Sequence, residues 1–407
     1  VGSTRSTEVL ENHIDEGRVY AYLAIMTIAS TALFVLVQLR SVRRAFAKLW
    51  NVAGRYQRVS SEEVFEKMEP DVRAEAESFK QFSHHHFALW IHDLSKRYGK
   101  IEALRHLFLG VKLKECFGLL GVNGAGKTTT FSILTGEAFP TEGEAKIYGQ
   151  SVESDTIRLG FCPQFDALLP DLTGVETLKI LGALHGFTEY EQHADDILKV
   201  VSMSEHGHKQ TSAYSGGQRR KLSVGAAILA QNGLIILDEP TAGIDPKARR
   251  EIWSLLMCVR DKTEAALLLT SHSMDECEAL CSRIAILNKG AMVAIGTSQA
   301  LKSKYGNSFT LTLVTEARND EQIKEVIEQV RRTFPMAKDK PTKSATVTFE
   351  IPRESHDLWS TAFRKALDMA KEIGARDFCL SQSSLEQTFM QIMKEQDDAH
   401  LVEEHSV

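Results

Sequence analysis

From residue 19 to residue 39 the chain carries no charge over twenty-one consecutive positions rich in Ala, Ile, Leu and Val. A helix of that length crosses about 30 Å of hydrocarbon. The run therefore reads as a membrane-spanning helix, bracketed by Arg18 and Arg40, with Tyr20 and Tyr22 suited to the interface. It is too long for a signal peptide and lacks the basic start of one, and soluble helices rarely run this far uncharged. Behind it Val42, Phe46, Leu49 and Trp50 recur at helical spacing. That spacing fits a helix lying along the inner leaflet as well as one continuing into the cytosol. Residues 60–82 are charged and mostly acidic, interrupted by Pro70, and read as a linker. The alternation of Phe87, Leu89 and Ile91 then opens a folded region with apolar runs at 116–120 and 234–237. After Gly306 a strand over 309–315, a helix over 321–334, a strand over 345–351, a helix over 357–373 and a strand over 376–381 predict a small α+β, ferredoxin-like domain. A capped helix over 383–393 presents Leu385, Phe389 and Ile392, and the polar residues 396–407 read as a disordered tail.

Charge orients this plan. Glu8, Glu11, Asp15 and Glu16 precede the uncharged run, and Arg40, Arg43, Arg44, Lys48, Arg55 and Arg58 follow it. The positive-inside rule then puts everything after residue 39 in the cytoplasm. The net charge of −6 argues against nucleic acid as a partner. Six cysteines show neither a C-x-x-C pair nor a zinc-like His spacing, which fits free thiols in a reducing compartment. The chain opens on Val1 rather than Met, as a piece of a longer polypeptide would. His84, His85 and His86 read as a solvated loop.

The chemistry starts at Gly121-Val122-Asn123-Gly124-Ala125-Gly126-Lys127-Thr128, between the apolar run 116–120 and a helical stretch beginning with Thr129. A glycine-rich turn between strand and helix lets backbone N–H groups approach a polyphosphate, and the helix N-terminus adds donors. Lys127 would reach the β and γ phosphates, and Thr128 would offer its hydroxyl to Mg²⁺. Leu234-Ile235-Ile236-Leu237 runs into Asp238 and Glu239 at the carboxyl end of a strand, where ligands bind in parallel sheets. Asp238 would hold the metal, and Glu239 would polarise a water attacking the γ phosphate. Ser215-Gly216-Gly217-Gln218 opens another helix and is a second anion site by backbone geometry, which suggests two domains meeting face to face. Tyr98, twenty-nine residues before Lys127, could stack on an adenine ring.

Taken in order, the cradle, Gln164 in Phe161-Cys162-Pro163-Gln164, Ser-Gly-Gly-Gln, Asp238-Glu239, Asp245 and His272 resemble the nucleotide-binding domain of ATP-binding cassette transporters. The stretches Phe165-Asp166-Ala167-Leu168 and Thr270-Ser271-His272-Ser273-Met274-Asp275-Glu276-Cys277 resemble the A subfamily, large eukaryotic lipid exporters. Gln218 departs from the asparagine common there. The resemblance implies a P-loop NTPase fold with a helical subdomain, and ATP and Mg²⁺ as ligands. It further implies that Gln164 senses Mg²⁺ and couples to the membrane domain, that Asp245 communicates across a dimer and that His272 contacts the γ phosphate. Ser215 and Gly217 would act on nucleotide held by the partner.

The resulting plan is an extracytoplasmic segment (1–18), a spanning helix (19–39), a cytoplasmic linker (40–86), a nucleotide-binding domain (87–306), a regulatory domain (307–395) and a tail (396–407). The remaining membrane helices and a partner cassette are expected upstream in the same polypeptide, with phospholipid or sterol as substrate. An ATP-gated channel or receptor regulator is the alternative function. A soluble remodeller of ribosomes or DNA is a third, which the uncharged run counts against.

Overall fold

The computed structural model describes residues 68–404, together with Thr27 and Thr31, but not 82–85, 155–158, 231–232, 307, 316–319, 340–345 and 353–358. Two compact units divide the chain, Val1–Ser60 and Ser61–Val407. The run at 19–39 and the basic stretch behind it lie outside the described residues apart from Thr27 and Thr31, as do His84 and His85. Among the described residues no helix is long and apolar enough to cross a membrane.

Helix α1 (Pro70–Gln81) stands within the stretch expected to be linker. Pro70 starts this helix rather than breaking the chain, because its missing N–H and fixed φ suit a first helical position. Val72 and Ala76, one turn apart, are buried against the antiparallel strands β1 (Phe87–Tyr98) and β2 (Ile101–Lys112). Arg283 clamps the helix from outside, pairing through Nη2 with Glu75 at 2.5 Å and through Nη1 with Glu115 at 3.4 Å.

Strand β3 (Cys116–Gly121) leads through the glycine turn into α2 (Lys127–Leu134), followed by β4 (Glu142–Ile147), β5 (Gln150–Ser151) and β6 (Gly160–Cys162). Three helices follow, α3 (Gly174–Leu184), α4 (Tyr190–Val200) and α5 (Gly216–Leu229), with a core of their own that includes Leu178, Leu198 and Leu222. The chain then returns through β7 (Leu234–Asp238), α6 (Pro246–Lys262), β8 (Ala266–Thr270), α7 (Met274–Leu280), β9 (Arg283–Asn288), β10 (Ala291–Gly296) and α8 (Ser298–Tyr305). One sheet is antiparallel, ordered β2-β1-β4-β5. The other is ordered β10-β9-β3-β8-β7-β6 and is parallel except at β9–β10.

Strands buried on both faces explain the unbroken apolar runs. In β3, Phe117 and Leu119 face the core shared with the antiparallel sheet and with Phe131 of α2, while Cys116 and Leu120 face the opposite core. Leu234 and Ile236 alternate with Ile235 and Leu237 in the same way. Register places Leu119 beside Thr270 and Thr270 beside Asp238, so the carboxyl ends of β3, β8, β7 and β6 form one row.

The C-terminal region comprises β11 (Ser308–Val314), α9 (Asp320–Thr333), β12 (Lys338–Asp339), β13 (Thr346–Pro352), α10 (Trp359–Ile373), β14 (Asp377–Gln382) and α11 (Leu385–Glu404). Its strands form an antiparallel sheet ordered β12-β13-β11-β14, over a core that includes Leu311, Phe349 and Ala366. The two-residue strand β12 is too short for a periodicity reading and adds a hairpin to the expected order. Helix α11 runs to Glu404, beyond the expected start of the tail at residue 396. Its Leu385, Phe389, Ile392 and Met393 belong to the core formed by β3, β7, α6 and α7.

Candidate functional site: a phosphate cradle and a clamped carboxylate

The loop after β3 is shaped for close approach by its backbone. Gly124 (φ 80°) and Gly126 (φ 107°) lie in the left-handed region, which L side chains rarely adopt. A Cβ on Gly126 would sit 2.7 Å from Leu104 Cδ2 and 2.8 Å from the Ala103 carbonyl. Asn123 and Gly124 are exposed and Ala125 is buried, its carbonyl accepting from Gly290 N–H. Lys127 is 8% exposed, with Nζ donating to the carbonyls of Gly121 (2.6 Å) and Val122 (3.1 Å). Burial pulls its pKa below the ordinary lysine value, and the nearby charges of Glu239 and Asp238 oppose that pull. Thr128 is exposed at the first turn of α2, with Thr129 half-buried behind it. Inward-turning glycines, a desolvated lysine and an open hydroxyl at a helix N-terminus fit a nucleoside polyphosphate.

At the end of β7, Asp238 Oδ1 accepts from Thr270 Oγ1 at 2.6 Å. Glu239 follows at φ 48°, a conformation costly for a non-glycine residue unless its surroundings hold it. Thr270 does so, since Glu239 N–H lies 3.2 Å from its carbonyl and 3.1 Å from its Oγ1. The Glu239 carboxylate is thereby aimed between two loops. Gln164 Nε2 donates to Oε2 at 3.1 Å, and His272 Nε2 lies 2.7 Å from Oε1. Three residues from the ends of three strands thus meet at one carboxylate, next to a cleft of about 260 Å³ that Arg249, Ser271 and Glu276 also line.

Ser215 and Gln218 close a capping box on α5, Ser215 Oγ accepting from Gln218 N–H and Gln218 Oε1 from Ser215 N–H. Two donors at that end are therefore satisfied within the chain, while Gly216 stays exposed and open. Gly217 is buried where a Cβ would stand 3.0 Å from Ala248 Cβ and 3.5 Å from Asp245 Oδ1. Asp245 caps α6, with Oδ2 accepting from Ala248 N–H at 3.0 Å, and this bond holds its carboxyl below the usual range. The starts of α5 and α6 are thus packed together. Tyr98 is 48% exposed at the end of β1, with Lys96 Nζ 4.8 Å from its ring centre.

Two buried charges escaped the sequence reading. Arg220, 3% exposed, donates from Nε to Pro240 O (2.8 Å), from Nη1 to Pro163 O (2.6 Å), Gln164 O and Asp166 Oδ1 (both 3.2 Å), and from Nη2 to Asp238 O (2.7 Å) and Glu239 O (2.9 Å). One guanidinium therefore ties the Gln164 loop to the Asp238-Glu239 turn. Glu276, 1% exposed, accepts from Thr241, Trp253 and Ser271. Both residues lie on the apolar stripe of a helix, beside Gly217 and Val224 in one case and beside Cys277 and Leu280 in the other. A charge on such a stripe was the available signal.

Residues 104–242 match the family described as ABC transporter, and they contain the cradle, Gln164, the Ser-Gly-Gly-Gln helix start and Glu239. The chain carries an ABC transporter domain. The chain is 50% identical over 374 residues to the ABC transporter ced-7 of Caenorhabditis elegans, an alignment covering 90% of this chain and 22% of that protein. It is 41% identical over 317 residues to the phospholipid-transporting ATPase ABCA3 of Homo sapiens, covering 75% of this chain and 18% of that one. The chain spans about a fifth of the length of these curated relatives. Among solved structures, an ATP-binding subunit of an ABC transporter is 27% identical with a TM-score of 0.50, covering 54% of this chain and 93% of its own. The α/β core is accordingly a P-loop ATPase cassette fold.

Proposed function

We propose that this chain is the ATP-hydrolysing cassette of a lipid transporter, fixed to the membrane by the helix at 19–39 and paired with a second cassette from elsewhere in the same polypeptide. The observation that carries the reading is the Glu239 carboxylate held between Gln164 and His272 on the strand row that bears the cradle. Lys127 and the amides of residues 124–128 bind the β and γ phosphates of ATP. Thr128, Gln164 and Asp238 would hold Mg²⁺, which when bound would neutralise charge on the phosphate oxygens. Glu239 takes the proton of the attacking water, and His272 keeps the carboxylate turned toward it and contacts the γ phosphate. Tyr98 offers its ring to the adenine. Ser215, Gly216, Gly217 and Gln218 meet the nucleotide on the partner cassette, and Asp245 lies at that boundary.

In this reading, clamping of two cassettes on ATP and release after hydrolysis supply the difference in binding free energy that shifts the membrane domain between states. Similarity to the phospholipid-transporting relative supports a phospholipid cargo; a sterol cargo and a regulatory role for the region after residue 306 belong to the same proposal. The test is ATP turnover and lipid movement by the full-length transporter in vesicles, comparing the parent with Glu239→Gln. Steep loss of both with ATP binding retained upholds the reading. Unchanged turnover overturns it in favour of an ATP-gated cassette.

A further inference from the structure

Beside the row of strand ends lies a buried carboxylate that the proposed hydrolysis does not use. Glu276, in the first turn of α7, is 1% exposed and gathers donors from three separate segments. Thr241 Oγ1, in the loop after β7, donates to Oε1 at 2.7 Å. Trp253 Nε1, on α6, donates to the same oxygen at 3.0 Å, and Ser271 Oγ, in the loop after β8, donates to Oε2. Ser271 Oγ also accepts from Ser273 N–H at 2.9 Å, and Ser273 Oγ accepts from Glu276 N–H at 3.4 Å. The two residues flanking His272 are thus tied to Glu276, whereas His272, half-exposed, makes its 2.7 Å contact with Glu239.

We infer that Glu276 is a positioning residue for hydrolysis: it sets the His272 loop against Glu239 and ties both to α6, the helix that Asp245 caps. The inference rests on the hydrolase reading above. A carboxylate buried among neutral donors suits a hub, because it accepts several hydrogen bonds at once and fixes the groups that make them. It stands at a helix N-terminus, where its charge is favoured. Leu or Gln would keep the volume, but neither can accept from all three donors. Through Trp253, Glu276 and Ser271, side-chain hydrogen bonds link α6 to the loop that carries His272.

The experiment uses the full-length transporter in lipid vesicles, with Glu276→Gln, His272→Ala, the double variant and Glu239→Gln measured for ATP turnover and ATP binding. Glu276→Gln is expected to lower kcat about tenfold, the effect of one misplaced hydrogen bond, while KM for ATP stays within about twofold. Because Glu276 acts through His272, the double variant should be no slower than His272→Ala alone. Losses that multiply in the double variant, a defect confined to KM, or parental turnover in Glu276→Gln would each overturn the inference. If Glu276→Gln does not accumulate, Trp253→Phe removes one donor and leaves the carboxylate, and the same cycle with His272→Ala decides. Full turnover in Glu239→Gln sinks the hydrolase reading itself. An inactive Glu239→Gln beside a fully active Glu276→Gln sinks only the role given to Glu276.

Discussion

Replacing Arg220 by methionine isolates what its guanidinium does, since methionine fills similar space and donates nothing. Arg220 bridges two strand ends: Pro163 and Gln164 carbonyls with the Asp166 carboxylate on one side, Asp238, Glu239 and Pro240 carbonyls on the other. Hydrogen bonds from a charged donor contribute roughly 1.5–3 kcal/mol each in isolation, but six that share five N–H groups are not additive. The better guide is removal of one partner from a buried charged pair, about 3–5 kcal/mol, because Asp166 and the carbonyls are left without their donor. Against a total stability of about 5–15 kcal/mol the cassette should still fold. It should melt on the order of 10 °C lower. Turnover measured well below that temperature should fall further than ATP binding, because the backbone carrying Gln164 and Glu239 is no longer fixed. Lysine should recover only part of both, since one ammonium cannot straddle the two sides as a planar fork does. The assay is thermal unfolding of the purified full-length protein by tryptophan fluorescence, paired with ATP turnover. A methionine variant that melts within about 2 °C of the parent and turns over normally would refute the reasoning.

Phe389→Ala should destabilise the cassette by about 3–5 kcal/mol, because this ring of α11 is buried with α6 and α7; unfolding that leaves the cassette's transition in place would show α11 to be dispensable. Gly126→Ala should abolish ATP binding, read by nucleotide fluorescence, since the new Cβ meets the Ala103 carbonyl at 2.8 Å in a left-handed conformation; retained affinity would mean the loop re-forms around it. The His106–Asp93 contact of 2.6 Å raises the His106 pKa above the ordinary 6.5. Its stabilisation is therefore full below that value and fades as pH rises through the folded one. Asp93→Asn should accordingly lower the melting temperature more at about pH 5.5 than at about pH 8.5. An equal shift at both would remove the charge from the account.

The parts legible in the sequence are those whose neighbours in the chain carry the signal. The cradle is one contiguous turn, and the strands of the parallel sheet are short apolar runs because both their faces are covered. The Asp238-Glu239 pair was readable because it ends such a run. Pro70 misled because a proline marks both the end of one helix and the start of another, and only the burial of Val72 and Ala76 distinguishes the two. Arg220 sits in the basic run Arg219-Arg220-Lys221, which looks like a solvated face until the helical period puts its middle member inward. Its partners are backbone carbonyls, which no side-chain pattern announces.

The placement of α11 follows from the same distinction between sequence order and packing. Residues 308–382 close their own sheet over a core of their own. The apolar spacing of Leu385, Phe389 and Ile392 says that a helix buries one face, but not on which domain. It buries it against α7 and α8, and the Gln299–Gln382 hydrogen bond at 2.8 Å joins α8 to the last strand of the small sheet. Helix α7 starts two residues after His272 and carries Glu276, so the helix that ends the small domain rests on the element that aims the histidine. At its second crossing the chain is anchored in the cassette core by Leu385 and Phe389. Displacement of the small domain must therefore either strain α11 against α7 or unseat Phe389 from the core, and the second course forfeits the burial that the Phe389→Ala variant measures.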